Sequence, residues 1–87
     1  MDYCLITFSS SNGAIQAQRV LKGHLPFQVM PVLREVSASC GIALRLAPDA
    51  VEQARSVLSR SELRADEYAF YGVSGRGAAL TAQRLFL

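Results

Sequence analysis

Among its 87 residues the chain has no tryptophan, one histidine, two cysteines and three prolines. Each shortage removes a class of explanation. One imidazole and two widely separated thiols, Cys4 and Cys40, offer no metal-ligand spacing, so no metal is expected. Two cysteines of unlike context do not make a disulfide framework, which in small secreted domains takes four or more. No run of like charge is present: nine basic residues, all but Lys22 arginine, interleave with seven acidic ones for a formal charge of +2. A chain so balanced is not expected to bind nucleic acid. No apolar run approaches the roughly 20 residues a membrane span needs. Nor does a basic leader precede an apolar run, because the first residues enter a strand pattern at once. These absences predict a cytoplasmic protein without a membrane segment, in a reducing compartment that keeps both thiols free.

What is present is apolar and periodic. Half the residues are hydrophobic and 18% are charged, enough for one domain with one modest core. Tyr3-Cys-Leu-Ile-Thr-Phe8 reads as a central strand. Ser9-Ser-Ser-Asn-Gly13 is a turn and N-cap cluster. Ile15, Ala17, Val20 and Leu21 then follow at helical spacing, and Lys22-Gly23-His24 closes that helix. Phe27 to Pro31 alternates weakly between prolines, as an edge strand does. Ile42 to Leu46 is another strand, and Pro48-Asp49 opens a second helix whose Val51, Ala54, Val57 and Leu58 share a face. Ser59 to Arg64 is a polar connection before a fourth strand over 67–71. The order β-α-β-β-α-β predicts an α+β, ferredoxin-like two-layer sandwich over residues 1–72. Residues 73–87 read as a short tail or helix that covers an edge or face of the sheet, or makes a homodimer contact through Leu85-Phe86-Leu87. A monomer or weak homodimer is therefore expected. Gly75-Arg76-Gly77 is a linker, since it lacks the GK[ST] ending of a phosphate loop.

The stretch that breaks this regular pattern is Pro31-Val-Leu-Arg34-Glu-Val-Ser37-Ala-Ser39-Cys40-Gly41. Cys4 sits inside an apolar run, where a core cysteine belongs. Cys40 instead occupies a loop-to-strand junction, with cations at Arg34 and Arg45, hydroxyls at Ser37 and Ser39 and Gly41 beside it. Backbone amides and positive charge in such a setting stabilise a thiolate. Right-handed crossovers make the first two strands parallel, with the third between them. The Cys40 loop and the start of the first helix then share one rim, where the helix N-terminus offers amides and partial positive charge. The same topology puts His24 at the other rim, which argues against a Cys–His hydrolase. The bland alternative for Cys40 is a small buried residue at a hairpin corner. For Arg34 and Arg45 it is a solvated charge.

The fragment Arg34-Glu-Val-Ser-Ala-Ser-Cys40-Gly-Ile-Ala-Leu-Arg45 resembles the signature of a family of small bacterial domains described as selenium/sulfur carrier protein-like. Tyr3-Cys-Leu-Ile-Thr-Phe-Ser-Ser and Leu25-Pro-Phe27 are similar to that family's N-terminal half. The resemblance covers roughly residues 3 to 72, and the Ser-Cys-Gly core between two arginines is its most specific part. Members often carry proline directly before the first arginine, where this chain has Leu33. The resemblance implies that Cys40 is a carrier thiol that accepts sulfur or selenium as a persulfide or perselenide. Arg34, Ser37, Ser39, Gly41 and Arg45 would bind the adduct. The partners would be a chalcogen donor and an acceptor protein, with no cofactor and no turnover chemistry of the chain's own. A non-catalytic regulatory or scaffolding module of the same fold, binding a small ligand or protein, is the competing expectation.

Overall fold

The computed structural model describes residues 1–36 and 40–87. Five strands and two helices follow one another as β1 (Tyr3–Phe8), α1 (Ser11–Leu21), β2 (Gln28–Pro31), β3 (Ile42–Leu46), α2 (Val51–Ser59), β4 (Tyr68–Ser74) and β5 (Thr81–Leu85). All pairings are antiparallel, and the strands lie side by side in the order β2-β3-β1-β4-β5. The fold is thus α+β, with β3 between β1 and β2 as the crossover argument requires.

β1 holds the middle. Cys4, Leu5 and Ile6 are fully buried, because β3 and β4 pair with both edges and side chains pack on both faces. Strand alternation separates two cores. Cys4, Ile6, Phe8, Leu44 and Leu46 meet the helices, through Ala14, Ala17 and Leu21 of α1 and Val51, Ala54, Val57 and Leu58 of α2. Leu5, Ala43 and Val73 meet Val36 on the opposite face. In α1 the buried positions are Gly13, Ala14, Ala17 and Leu21. Ile15, expected on that face, is 45% exposed, since it sits about 100° around the helix from Ala14. Ser10 caps α1 by accepting the Gly13 N–H at 3.1 Å. Pro48–Ala50 forms a 3₁₀ turn that leads directly into α2.

The greatest departure from the sequence reading lies after residue 72. That boundary falls inside β4, and the segment expected as a tail or short helix forms β5, paired along β4 from Ser74↔Thr81 to Phe70↔Leu85. The sheet therefore has five strands instead of the four expected. The pattern Thr-Ala-Gln-Arg-Leu fits either conformation, and pairing to the unoccupied edge of β4 decides between them. The turn into β5 depends on Gly75, which has φ +83, hydrogen-bonds the Asp2 carboxylate through its N–H at 2.9 Å and leaves no room for a side chain against the Ala79 carbonyl.

Gly75→Ala is therefore expected to lower stability by about 1–3 kcal/mol. Gly41→Ala should change it by less than about 1 kcal/mol, because Gly41 has no left-handed backbone and no neighbour within 4 Å of a side-chain methyl. Urea unfolding of the two variants checks the contrast.

Candidate functional site

The site forms where β1 runs out. The Phe8 carbonyl accepts the Cys40 backbone N–H at 3.3 Å, and the Ser9 N–H reaches the Glu67 carbonyl at 3.0 Å. Two residues later α1 begins, so Cys40 lies against the first turn of α1. The Cys40 thiol points to the Ser11 hydroxyl, with Sγ 4.0 Å from Oγ. The Ile42 backbone N–H donates to the same sulfur at 3.4 Å. Both groups can turn a donor toward a sulfur anion, the hydroxyl by rotation and the amide without moving. The first turn of α1 holds no acidic residue, so its positive end is not neutralised by the helix itself.

Accessibility differs from the rim position expected for Cys40. The residue is 3% exposed and belongs to the helix-side core with Phe8, Ala14 and Leu63. The physical reason is the Phe8–Cys40 backbone bond. It holds the residue to the end of β1 and directs its side chain to the sheet face already covered by α1.

The other residues singled out by sequence separate into three groups. Arg34 is exposed in the turn closed by the Val36 N–H and the Leu33 carbonyl at 3.1 Å. Gly41 adjoins the thiol, and its carbonyl accepts the Val32 N–H at 3.0 Å. Ser37 and Ser39 lie outside the described residues. Arg45 does not join the site. It pairs across from Leu5 and Gln28, three residues or about 10 Å further along β3 than Ile42. Strand alternation turns it to the face away from the helices, where its guanidinium lies 4.1 Å from the centre of the Tyr3 ring. His24, just past α1, stands at the far rim from Cys40. Among the described residues no group of three or more His, Cys, Asp or Glu could hold a metal ion. No helix of the described residues is long and apolar enough to cross a membrane.

Two members of the site were not singled out individually in the sequence. Ser11 was one of several residues in a capping cluster, and only the meeting of that cluster with the Cys40 loop distinguishes it. The Ile42 amide is a backbone group and leaves no mark in residue type.

Cys4 provides the internal comparison. It is fully buried at the centre of the sheet, opposite Leu46 and Gly72. Burial pushes its thiol up to about 11, against a smaller opposing effect of a backbone hydrogen bond with Tyr71. Cys4 is thus a neutral thiol at neutral pH and a poor nucleophile.

With this geometry established, comparison with known families is specific. Residues 3–69 match the model of the family described as "Putative Se/S carrier protein-like". The chain belongs to that family, and the match includes the whole Cys40 site while leaving β5 outside. No curated protein and no solved structure matches the chain.

The Cys4 environment carries a consequence for stability. The unfolded thiol ionises near 9 and the folded one near 11, so the folded state holds the proton more tightly between these values. Stability is then lost as pH rises through that window, by up to about 2–3 kcal/mol. Cys4→Val should remove that part of the alkaline slope, which urea unfolding at pH 8, 9, 10 and 11 would show. An equal slope in both proteins would show that Cys4 is not its source.

Proposed function

We propose that this protein carries sulfur or selenium on Cys40, within a ferredoxin-like βαββαβ domain to which β5 is added. The observation that supports the reading most directly is the pair of polar groups at Sγ at the start of α1: the Ile42 N–H, which donates to it at 3.4 Å, and the Ser11 hydroxyl, which accepts from the thiol at 4.0 Å and can rotate to donate to its anion. A carrier thiol must serve as nucleophile when loaded and as leaving group when unloaded, and both roles pass through a sulfur anion that such donors stabilise.

In loading, the Cys40 thiolate attacks the outer sulfur of a donor protein's persulfide. The bond from Cys40 Sγ to that sulfur forms, the donor's S–S bond breaks, and the donor leaves as a thiolate. Unloading reverses the roles: an acceptor nucleophile takes the outer sulfur, and its bonding pair to Cys40 returns to Sγ. A perselenide follows the same course with selenium as the transferred atom. No external oxidant is consumed. A reducing cytoplasm suits the scheme by keeping the unloaded thiol free. Arg34 stands on the same loop as a charge for partner docking or adduct binding, with Ser37, Ser39 and Gly41 flanking the sulfur in sequence. At 3% exposure Cys40 is reached through local opening of the chain around it, and this step should limit the loading rate.

The same burial favours a second reading, a binding module in which Cys40 only fills the core. The two readings differ in mass. Under the carrier reading, incubation with a persulfide or perselenide donor adds one chalcogen atom per chain. Cys40→Ser abolishes the adduct and Cys4→Ser retains it. A wild-type chain that stays unloaded while a known carrier is loaded in the same mixture would sink the carrier reading.

Alkylation adds a check independent of any donor. Iodoacetamide at neutral pH should modify Cys40 at least tenfold faster than Cys4, and a low concentration of urea should speed the Cys40 reaction. Peptide mapping decides it. Equal labelling of the two thiols would remove the distinction on which the site rests.

A further inference from the structure

The sheet has two outer edges, and they are built differently. β2 is four residues long, ends in Pro31 and follows Pro26, devices that blunt an edge against pairing. β5 has no proline and one charge, Arg84. Just beyond it Phe86 is 85% exposed and Leu87 is 59% exposed. Its inner edge is paired to β4 from residue 81 to residue 85, and nothing in the described chain pairs with the outer edge.

Side-chain alternation gives this edge a preferred register. Leu80 and Ala82 pack toward Tyr71 and Val73 on the sheet face away from the helices. Arg84 lies on that face too, 6.0 Å from the Tyr71 ring centre and 5.0 Å from that of Phe86. Leu85 points to the helix side. Leu80, Ala82, Arg84 and Phe86 therefore form one row, with apolar groups at its ends and a single cation between them.

We propose that β5 pairs antiparallel with β5 of a second copy of this chain, about a two-fold axis through Gln83, joining two sheets into one of ten strands. In this register Phe86 stands opposite Leu80 of the second copy, Arg84 opposite Ala82 and Leu85 opposite Thr81. The symmetry makes each contact occur twice. An axis through Arg84 would instead set two cations directly opposite each other, which is destabilising. An axis through Ala82 would face Arg84 with Leu80 and waste both apolar ends. Register is thus chosen by the row itself. The pairing satisfies the outer backbone groups of β5 and removes Phe86 from water. It is independent of the carrier reading, because β5 lies outside the residues that match the family.

Sedimentation equilibrium of the intact chain from micromolar to millimolar concentration tests the association. The expected mass rises from 9.4 kDa toward twice that value, and Phe86→Ser weakens the association at least tenfold. A single-chain mass throughout the range, or an unchanged association in a folded Phe86→Ser variant, overturns the proposal. The register is tested separately by Gln83→Cys and Arg84→Cys, each in a Cys40→Ser background with oxidised glutathione. Gln83→Cys should yield a covalent dimer. Arg84→Cys should not, since those positions sit about 8 Å apart, beyond the reach of a disulfide. Cross-linking at residue 84 and not at 83 overturns the register, and this pair decides the matter if Phe86→Ser does not fold.

Discussion

The Phe8 carbonyl accepts the Cys40 N–H at 3.3 Å, and on that bond the arrangement of the site depends. It ties the end of β1 to the residue two positions before Ile42, outside the Thr7↔Ala43 register, while the Ser9 N–H and Glu67 carbonyl continue the ladder on the other side of β1. The end of β1 is thereby held from both edges. α1 starts two residues on, so its first amides and Ser11 arrive where Cys40 is already fixed. Without that bond, the loop before β3 would have no defined distance to α1. The site is a consequence of β1 being central, and β1 is central because Cys4, Leu5, Ile6 and Phe8 are apolar on alternate faces that both find cover.

The same strand makes the two thiols unlike. Cys4 lies within it, surrounded by paired backbone and core side chains, and desolvation holds its proton. Cys40 lies at its end, where the ladder stops and a hydroxyl and a spare amide can reach the sulfur. Both residues are almost entirely buried, so exposure does not distinguish them. What distinguishes them is the setting of the sulfur: at Cys4 desolvation outweighs the backbone hydrogen bond with Tyr71, whereas Cys40 has both the Ile42 amide and a rotatable hydroxyl at Ser11 beside it. A buried sulfur with one amide already directed at it and a hydroxyl that needs only to rotate requires little rearrangement when charge develops. At Cys4 the single backbone hydrogen bond with Tyr71 compensates only part of the desolvation.

Much of this was legible in the sequence, for reasons that differ by element. Tyr3 to Phe8 announces itself by β-branched and aromatic content, and Val51, Ala54, Val57 and Leu58 by helical spacing, because burial imposes those patterns directly. Handedness and antiparallel pairing then place the Cys40 loop beside the start of α1 with no further information. Arg45 shows where adjacency in sequence misleads. Five residues from Cys40, it is carried down β3 and turned to the opposite face, where the Tyr3 ring accommodates its guanidinium. Burial of Cys40 was equally illegible, since it comes from a backbone bond to a residue 32 positions earlier. β5 was misread because five residues of mixed polarity carry no decisive period, and the free edge of β4 supplies the missing determinant.

The added strand also bears on how the domain can be used. β5 and the Cys40 site lie on different sides of β1, with β4 between β1 and β5 and with Cys40 at the β1–β3 junction. Adjacent strands are spaced about 4.8 Å apart, so the outer edge of β5 stands roughly 10 Å or more across the sheet from β1. A contact along that edge adds strands in the plane of the sheet and covers neither the first turn of α1 nor the loop before β3. The proposed thiol chemistry at Cys40 and the proposed association through β5 therefore make separate demands on the fold. The first needs local opening at a rim held by a few backbone bonds. The second needs only that an already paired strand keep its extended shape. A domain whose central strand is buried on every side can meet both, because neither requires β1 to move.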